Sequence, residues 1–149
     1  METKNQFQNL KFLDDVWGYG HINVLGTHST TIEITTEDFL TKNGNCIIGV
    51  KGNKSVKDYS PKLKSAILSG KKINVFLEAG DFKDDFYGYG HKDLLLSNPI
   101  SMVMRTSNFI SDRTALINCS IASNGINRDL INYLQKPEHK IRISFYCEK

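Results

Sequence analysis

The chain has 149 residues, 40% of them hydrophobic and 23% charged, with a formal net charge of +3. That composition is ordinary for a soluble globular protein, and the charge is too small to name a partner by itself. No apolar run approaches the ~18–20 residues that a membrane span needs.

The first residues, METKNQFQNLKF, are polar and lack the apolar core of a signal peptide, which predicts a cytoplasmic protein. An aromatic-rich strand then runs into GYGH (18–21) and on into INVL. A second strand, TTIEIT, alternates with period two, and a turn, TKNGN, leads to the apolar strand CIIGV. Ser60-Pro61 opens a short helix, because Ser caps free N–H groups and Pro is tolerated in the first turn. Gly70 stops that helix, and KKINVFLEA closes the series as a strand.

The same series then begins again. DDVWGYGH at 14–21 returns as DDFYGYGH at 84–91, and residues 12–39 align with 82–109 without a gap. Phe12 meets Phe82, Leu25 meets Leu95, Thr36 meets Thr106 and Phe39 meets Phe109. The second copy continues with ISMVMR, the turn SDRT and the strand ALINCSI. A helix capped by Asn127 follows, with Pro137 beyond its end, and then the strand HKIRISFYC. This pattern predicts an internal duplication: one domain over 1–149, with repeats at about 12–79 and about 82–147.

A unit of about seventy residues buries too little apolar surface to be stable alone. The expected fold is therefore mainly β (α+β). Two strand-rich units with one short helix each would pack about a pseudo-twofold axis, as a β-sandwich or a closed barrel that protects its strand edges.

The repeated phrase itself, with Gly18, Gly20, His21, Gly88, Gly90 and His91, reads as structural. Glycine in a strand marks a bulge or bend, and a histidine kept in both copies points to a shared hydrogen-bonding task. A metal centre wants three or four ligands, and only four histidines exist in all, so no metal site is expected. P-loop, H-E-x-x-H and Rossmann patterns are absent, and no cofactor is indicated. Cys46, Cys119 and Cys147 are far apart, odd in number and set in apolar stretches, which predicts buried, reduced thiols.

Function is better sought where the copies differ. If Ile32 and Ile34 face the core, alternation turns Thr31, Glu33 and Thr35 to the other face, and Ser101, Val103 and Arg105 take that face in the second copy. Glu33 and Arg105 are then expected near one another. With His28, Thr30, Ser107, Arg113 and Thr114 they form a candidate ligand or anion site, since Arg presents a planar fork of donors. A second feature is the run from Lys51 to Lys72. Lys51, Lys54, Lys57, Lys62, Lys64, Lys71 and Lys72 stand there against the single acid Asp58, as candidate contacts to a polyanion.

The segments GHINVLGTHSTTIEITTEDFLTKNGNCIIGV, MVMRTSNFISDRTALI and NRDLINYL resemble the archaeal domain-of-unknown-function family 371. The resemblance runs from about residue 12 over nearly the whole chain. Its matching positions include His21, His28, Thr30, Thr31, Glu33, Thr35, Arg105, Ser107, Arg113 and Thr114. Asn45 stands where the family pattern has Asp, which removes a carboxylate. The resemblance implies a small, mainly β, sandwich-like fold in an archaeal cytoplasmic setting, and it implies no activity.

Three functions follow as expectations. The first is a module binding RNA or another polyanion through the lysine run, the arginines and the aromatics Trp17, Tyr19, Tyr87 and Tyr89 as stacking surfaces. The second is a small enzyme or ligand-binding protein for a phosphorylated or carboxylated metabolite, acting through His28, Glu33, Arg105 and Arg113. The third is an assembly factor docking on a protein partner. Neither oligomeric state nor catalysis is specified by the sequence.

Overall fold

The structure is a computed structural model that describes residues 9–149. Its elements in chain order are β1 (Leu10–Tyr19), β2 (Thr31–Thr35), β3 (Ile47–Gly49), α1 (Pro61–Leu68), β4 (Lys72–Ala79) and β5 (Phe82–Tyr89). There follow β6 (Ser101–Arg105), β7 (Thr114–Leu116), α2 (Arg128–Tyr133) and β8 (Lys140–Glu148). The fold is mainly β, with two sheets and two short helices among the described residues.

The first sheet has the order β1-β8-β4-β5 and is antiparallel throughout. The second has the order β3-β2-β6-β7, with the antiparallel β2–β6 pair flanked by two short parallel pairings. Alternation decides which side chains go inside. In β4, Ile73, Val75, Leu77 and Ala79 are buried, while Lys72, Asn74, Phe76 and Glu78 face outward. One apolar cluster draws on all eight strands and both helices. Tyr59 shows how the sheets share it: its ring lies 5.5 Å from Phe145 of β8, and its hydroxyl is 3.2 Å from the Met102 sulfur of β6.

The barrel alternative does not hold. Single residue pairs, Tyr19 with Val50 and Tyr89 with Ile117, link the edges of the two sheets, and no continuous ladder closes them. The expected extension of the first strand into INVL is also absent, because β1 stops at Tyr19. Gly20 N–H still donates to its in-register partner, the His139 carbonyl, and the chain leaves the ladder at His21, whose N–H donates to the Leu134 carbonyl just beyond α2.

The two copies of the eight-residue phrase hold the helices. Asp14 accepts from the Ser60 amide (2.7 Å) at the start of α1, and Asp84 accepts from the Asn127 amide (2.7 Å) at the start of α2. Both helix caps form as the sequence suggests. Ser60 Oγ accepts from Leu63 N–H and Asn127 Oδ1 from Asp129 N–H. At the other ends the phrase supplies closeness. A Cβ on Gly20 would run into the Leu134 and Lys136 carbonyls, and one on Gly90 into the Ile67 carbonyl. His21 and His91 each accept, at Nδ1, the amide two residues on (3.0 Å), so each ring fixes its own turn.

Cys119 and Cys147 are buried and free, and burial pushes the Cys119 thiol up to about 12. Cys46 is free but only partly buried, unlike the expectation for it.

Gly90→Ala is expected to destabilise by roughly 2–4 kcal/mol, because the added methyl meets backbone that cannot step aside. Gly70→Ala has open space around it and only a φ of +74° to overcome, so it should cost about 1 kcal/mol. Urea unfolding of both variants measures the difference.

Candidate functional site

The outer face of the second sheet is not a solvated face. Every residue of β2 is buried, because the loops after β2 and β6 fold back over it. The β2–β6 register sets Thr31 opposite Arg105, Glu33 opposite Val103 and Thr35 opposite Ser101. Glu33 and Arg105 are therefore diagonal neighbours on one face, near one another as expected, but they form no ion pair. The ion pair of Glu33 is with Arg113, whose Nη1 lies 3.8 Å from Oε2. Arg105 turns instead to hydroxyls, donating from Nε to Thr114 Oγ1 (3.0 Å) and from Nη2 to Ser111 Oγ (3.2 Å). Burial first, and then the charge of Arg113, pull the Arg105 guanidinium below its usual value, while Glu33 and the Cys46 thiol oppose that shift.

A cleft of about 310 Å³ opens above this pair of strands. Of the nine candidate residues, Glu33, Thr35 and Arg113 line it. Ser101, Ile47 and Ile100 also line it, with Glu37 and Phe39 from the loop after β2. Arg105 and Thr114 form the adjoining network with Ser111. His28 and Thr30 form the turn that leads into Thr31 of β2, and His28 Nδ1 accepts there from the Thr30 and Thr31 amides (3.2 Å each). Ser107 is exposed; its hydroxyl accepts from the Phe109 amide (3.3 Å) in its own turn, and its carbonyl accepts from the Asn118 amide (2.9 Å). Asn45 acts through its backbone: its carbonyl accepts from the Thr27 and His28 amides. Cys46 and Ser111, which also belong to the site, could not be found by spacing, since a lone thiol or hydroxyl in a turn carries no such signal.

The lysine run is dispersed. Lys54 is committed to Asp14 (2.5 Å) and to the Asp15 carbonyl (3.0 Å), so it is not free to meet a polyanion. Lys64 donates to the Lys57 carbonyl (2.7 Å). Lys62 and Lys71 lie beside α1 with Lys11. Lys51 and Lys72 instead reach opposite edges of the first sheet, 5.9 Å from the Tyr19 ring and 4.3 Å from the Tyr87 ring.

There the outer face carries aromatic side chains in the open: Phe12, Trp17, Tyr87 and Tyr89 are 37–43% exposed. Tyr146 joins Phe12 to Phe76 through edge-to-face contacts at 5.5 and 5.3 Å. Arg142 lies 6.0 Å from both Phe12 and Trp17, held by Asp15 (2.9 Å) and Glu78 (3.7 Å). At the centre of this face Ser144 is 2% exposed and its hydroxyl has no partner. Among the described residues, no group of His, Cys, Asp and Glu is arranged to hold a metal ion, and no helix is long and apolar enough to cross a membrane.

Lys54→Ala should lower stability by about 2–3 kcal/mol, because it strips a buried carboxylate of its cation. Lys57→Ala and Lys62→Ala should change it by less than about 0.5 kcal/mol, as measured by denaturant unfolding. A second prediction concerns Cys46, whose thiol is pushed up to about 11 by burial and then by the Glu33 charge. Its alkylation by iodoacetamide at pH 8 should be about 10²–10³-fold slower than that of a free cysteine. Glu33→Gln removes the negative charge, lowers the thiol's pKa and should speed the reaction, as followed by mass spectrometry.

Comparison with known proteins agrees with this geometry in offering no assigned chemistry. A 45% identical relative, "Uncharacterized protein MJ0206" of Methanocaldococcus jannaschii, aligns over 122 residues, covering 82% of this chain and 90% of that protein. The family model described as "Domain of unknown function (DUF371)" matches residues 16–148. The chain belongs to the DUF371 family.

Proposed function

We propose that the protein is a nucleic-acid-binding module that takes single-stranded RNA on the outer face of the first sheet. One observation carries the reading: four exposed aromatic rings share one open antiparallel face with cations seated against aromatic rings. Four strands at about 4.8 Å spacing and some eight residues of length give a diagonal track of roughly 25–30 Å. That is room for about four or five nucleotides, each able to stack on a ring. Beside Trp17 the face opens into a groove of about 560 Å³, lined also by Glu78, Tyr133, His139, Lys140 and Arg142. The stacked Tyr133 and His139 rings, 3.7 Å apart, form one wall, which suits a flat base.

Electrostatics sets the character of the binding. Arg142 is already matched by Asp15 and Glu78, whereas Lys51, Lys72 and Lys140 carry no ion pair among the described residues. Three phosphate contacts give a log–log salt slope of roughly −2 on a single strand, against roughly −5 for all seven lysines of the 51–72 run. The affinity on this reading is mostly stacking.

The reading takes the chain as a tandem duplication folded about a pseudo-twofold axis in a cytoplasmic protein. In support, exchanging β1–β4 with β5–β8 leaves the order of both sheets unchanged. Asn98 Oδ1 accepts the Ile100 and Ser101 amides much as His28 Nδ1 accepts those of Thr30 and Thr31. Trp17 and Tyr87 then take equivalent places, which doubles the stacking surface. The free cysteines fit a reducing compartment.

Trp17 is the single tryptophan and reports on its own face. Titration with a short single-stranded RNA at low salt should quench its fluorescence, and duplex RNA should not. Tyr87→Ala is expected to weaken binding by about 1–3 kcal/mol, and the salt slope should lie near −2. No quenching and no binding at low salt would rule this reading out. A slope near −5, lost on Lys→Glu changes at 57, 62 and 71, would move the interface to the lysine run.

A further inference from the structure

The cleft over β2 and β6 holds a carboxylate whose needs the protein does not meet. Glu33 is 8% exposed. Its Oε1 accepts from the Cys46 thiol at 3.5 Å, a weak donor, and its Oε2 faces Arg113 at 3.8 Å, beyond hydrogen-bonding length. An ionised carboxylate has about four acceptor sites, and burying one without strong donors is costly. Ser101, on the neighbouring strand, is 5% exposed and lines the same cleft. Its amide donates to Asn98 Oδ1 (2.9 Å), and no hydrogen bond of its hydroxyl to a protein group is seen among the described residues. Two polar groups, each more than nine-tenths buried, thus line one cavity, and the carboxylate has only weak or distant protein partners.

The rest of the lining specifies what completes them. Glu33 lies in the floor, Glu37 is an exposed part of the lining, and two donors of the nearby Arg105 go to Thr114 and Ser111. Beside the Glu33 carboxylate a group that donates is favoured over another acceptor. Arg113, with 46% of its side chain exposed and only one nitrogen near Glu33, keeps guanidinium donors to offer an acid. Ile47, Ile100 and Leu40 also line the cleft.

We propose that this cleft binds a small zwitterionic amine, an amino acid with an apolar side chain. Its ammonium group donates to Glu33 and Ser101, its carboxylate meets the Arg113 guanidinium, and its side chain lies on Ile47 and Ile100. The site is on the opposite sheet from the RNA face and stands or falls separately from it.

The test uses the full chain, with thermal melting and calorimetry against each of the twenty common amino acids. The best of them is then compared with its decarboxylated amine and its deaminated acid. An apolar amino acid should raise Tm by roughly 5–10 °C at about 100 times its Kd, the amine should give a smaller rise, and the acid none. Arg113→Ala should weaken the zwitterion about tenfold or more and leave the amine bound at least as tightly, since the cation beside Glu33 has gone. Glu33→Gln should abolish both shifts, while its unliganded Tm equals or exceeds that of the native chain, since an underpaired buried charge has gone. The proposal is overturned if no amino acid binds up to about 10 mM, below which specific recognition has little meaning. It is equally overturned if the deaminated acid binds as well as the zwitterion, or if Glu33→Gln keeps the shift.

Discussion

Each helix is held at both ends by the phrase that the sequence writes twice. Asp14 takes the first amide of the α1 cap, and Gly90 lets the chain lie against the Ile67 carbonyl near its end. Asp84 takes the Asn127 amide before α2, and Gly20 lies against the Leu134 and Lys136 carbonyls after it. Helices of eight and six residues are too short to persist unaided, so these four contacts fix their ends while Leu63, Ile67, Leu130 and Ile131 pack into the core. Because one phrase lies in each half of the chain, clamping each helix also clamps the halves to one another. The strands then have a fixed frame in which to pair.

Within that frame the β2–β6 register decides the chemistry of the second sheet. With Ile32 opposite Met104 and Ile34 opposite Met102, four large apolar side chains face inward, and a slip of one residue would turn all of them outward. The same register leaves Glu33, Ser101 and Arg105 on the outer face. The returning loops make that face a covered one, so that Glu33 and Ser101, which would be solvated on an ordinary sheet, are nine-tenths buried. Their burial gives the cleft its selectivity, since an unmatched acceptor discriminates strongly between a ligand that donates and one that does not.

The first sheet follows the opposite plan. Its inner face is apolar and its outer face stays open, with aromatic rings and cations alternating. Cations seated on rings 4.3–6.0 Å away keep those rings from forming a continuous greasy patch. The two faces thus suit different partners: an open stacking surface on one side, an enclosed polar cavity on the other. A chain of this size can carry both because its core lies between the sheets.

The sequence by itself determined the strand and helix order, both helix caps, the burial of Ile32 and Ile34, and the family. These depend on local signals: period-two alternation, Ser-Pro and Asn starts, and a recurring phrase. It also marked Glu33, Thr35 and Arg113, which do come together, and Trp17, Tyr19, Tyr87 and Tyr89, of which all but the half-buried Tyr19 stand exposed. Only the tertiary structure decided that Glu33 pairs with Arg113 in place of Arg105, that Lys54 is locked to Asp14, and that the lysine run divides between distant places. It also decided that the sheets stay open. Each of these depends on which strands become neighbours and on how loops fold over them. Contacts between residues 40 to 80 positions apart leave no trace in spacing along the chain, because register and loop path are set by the core as a whole.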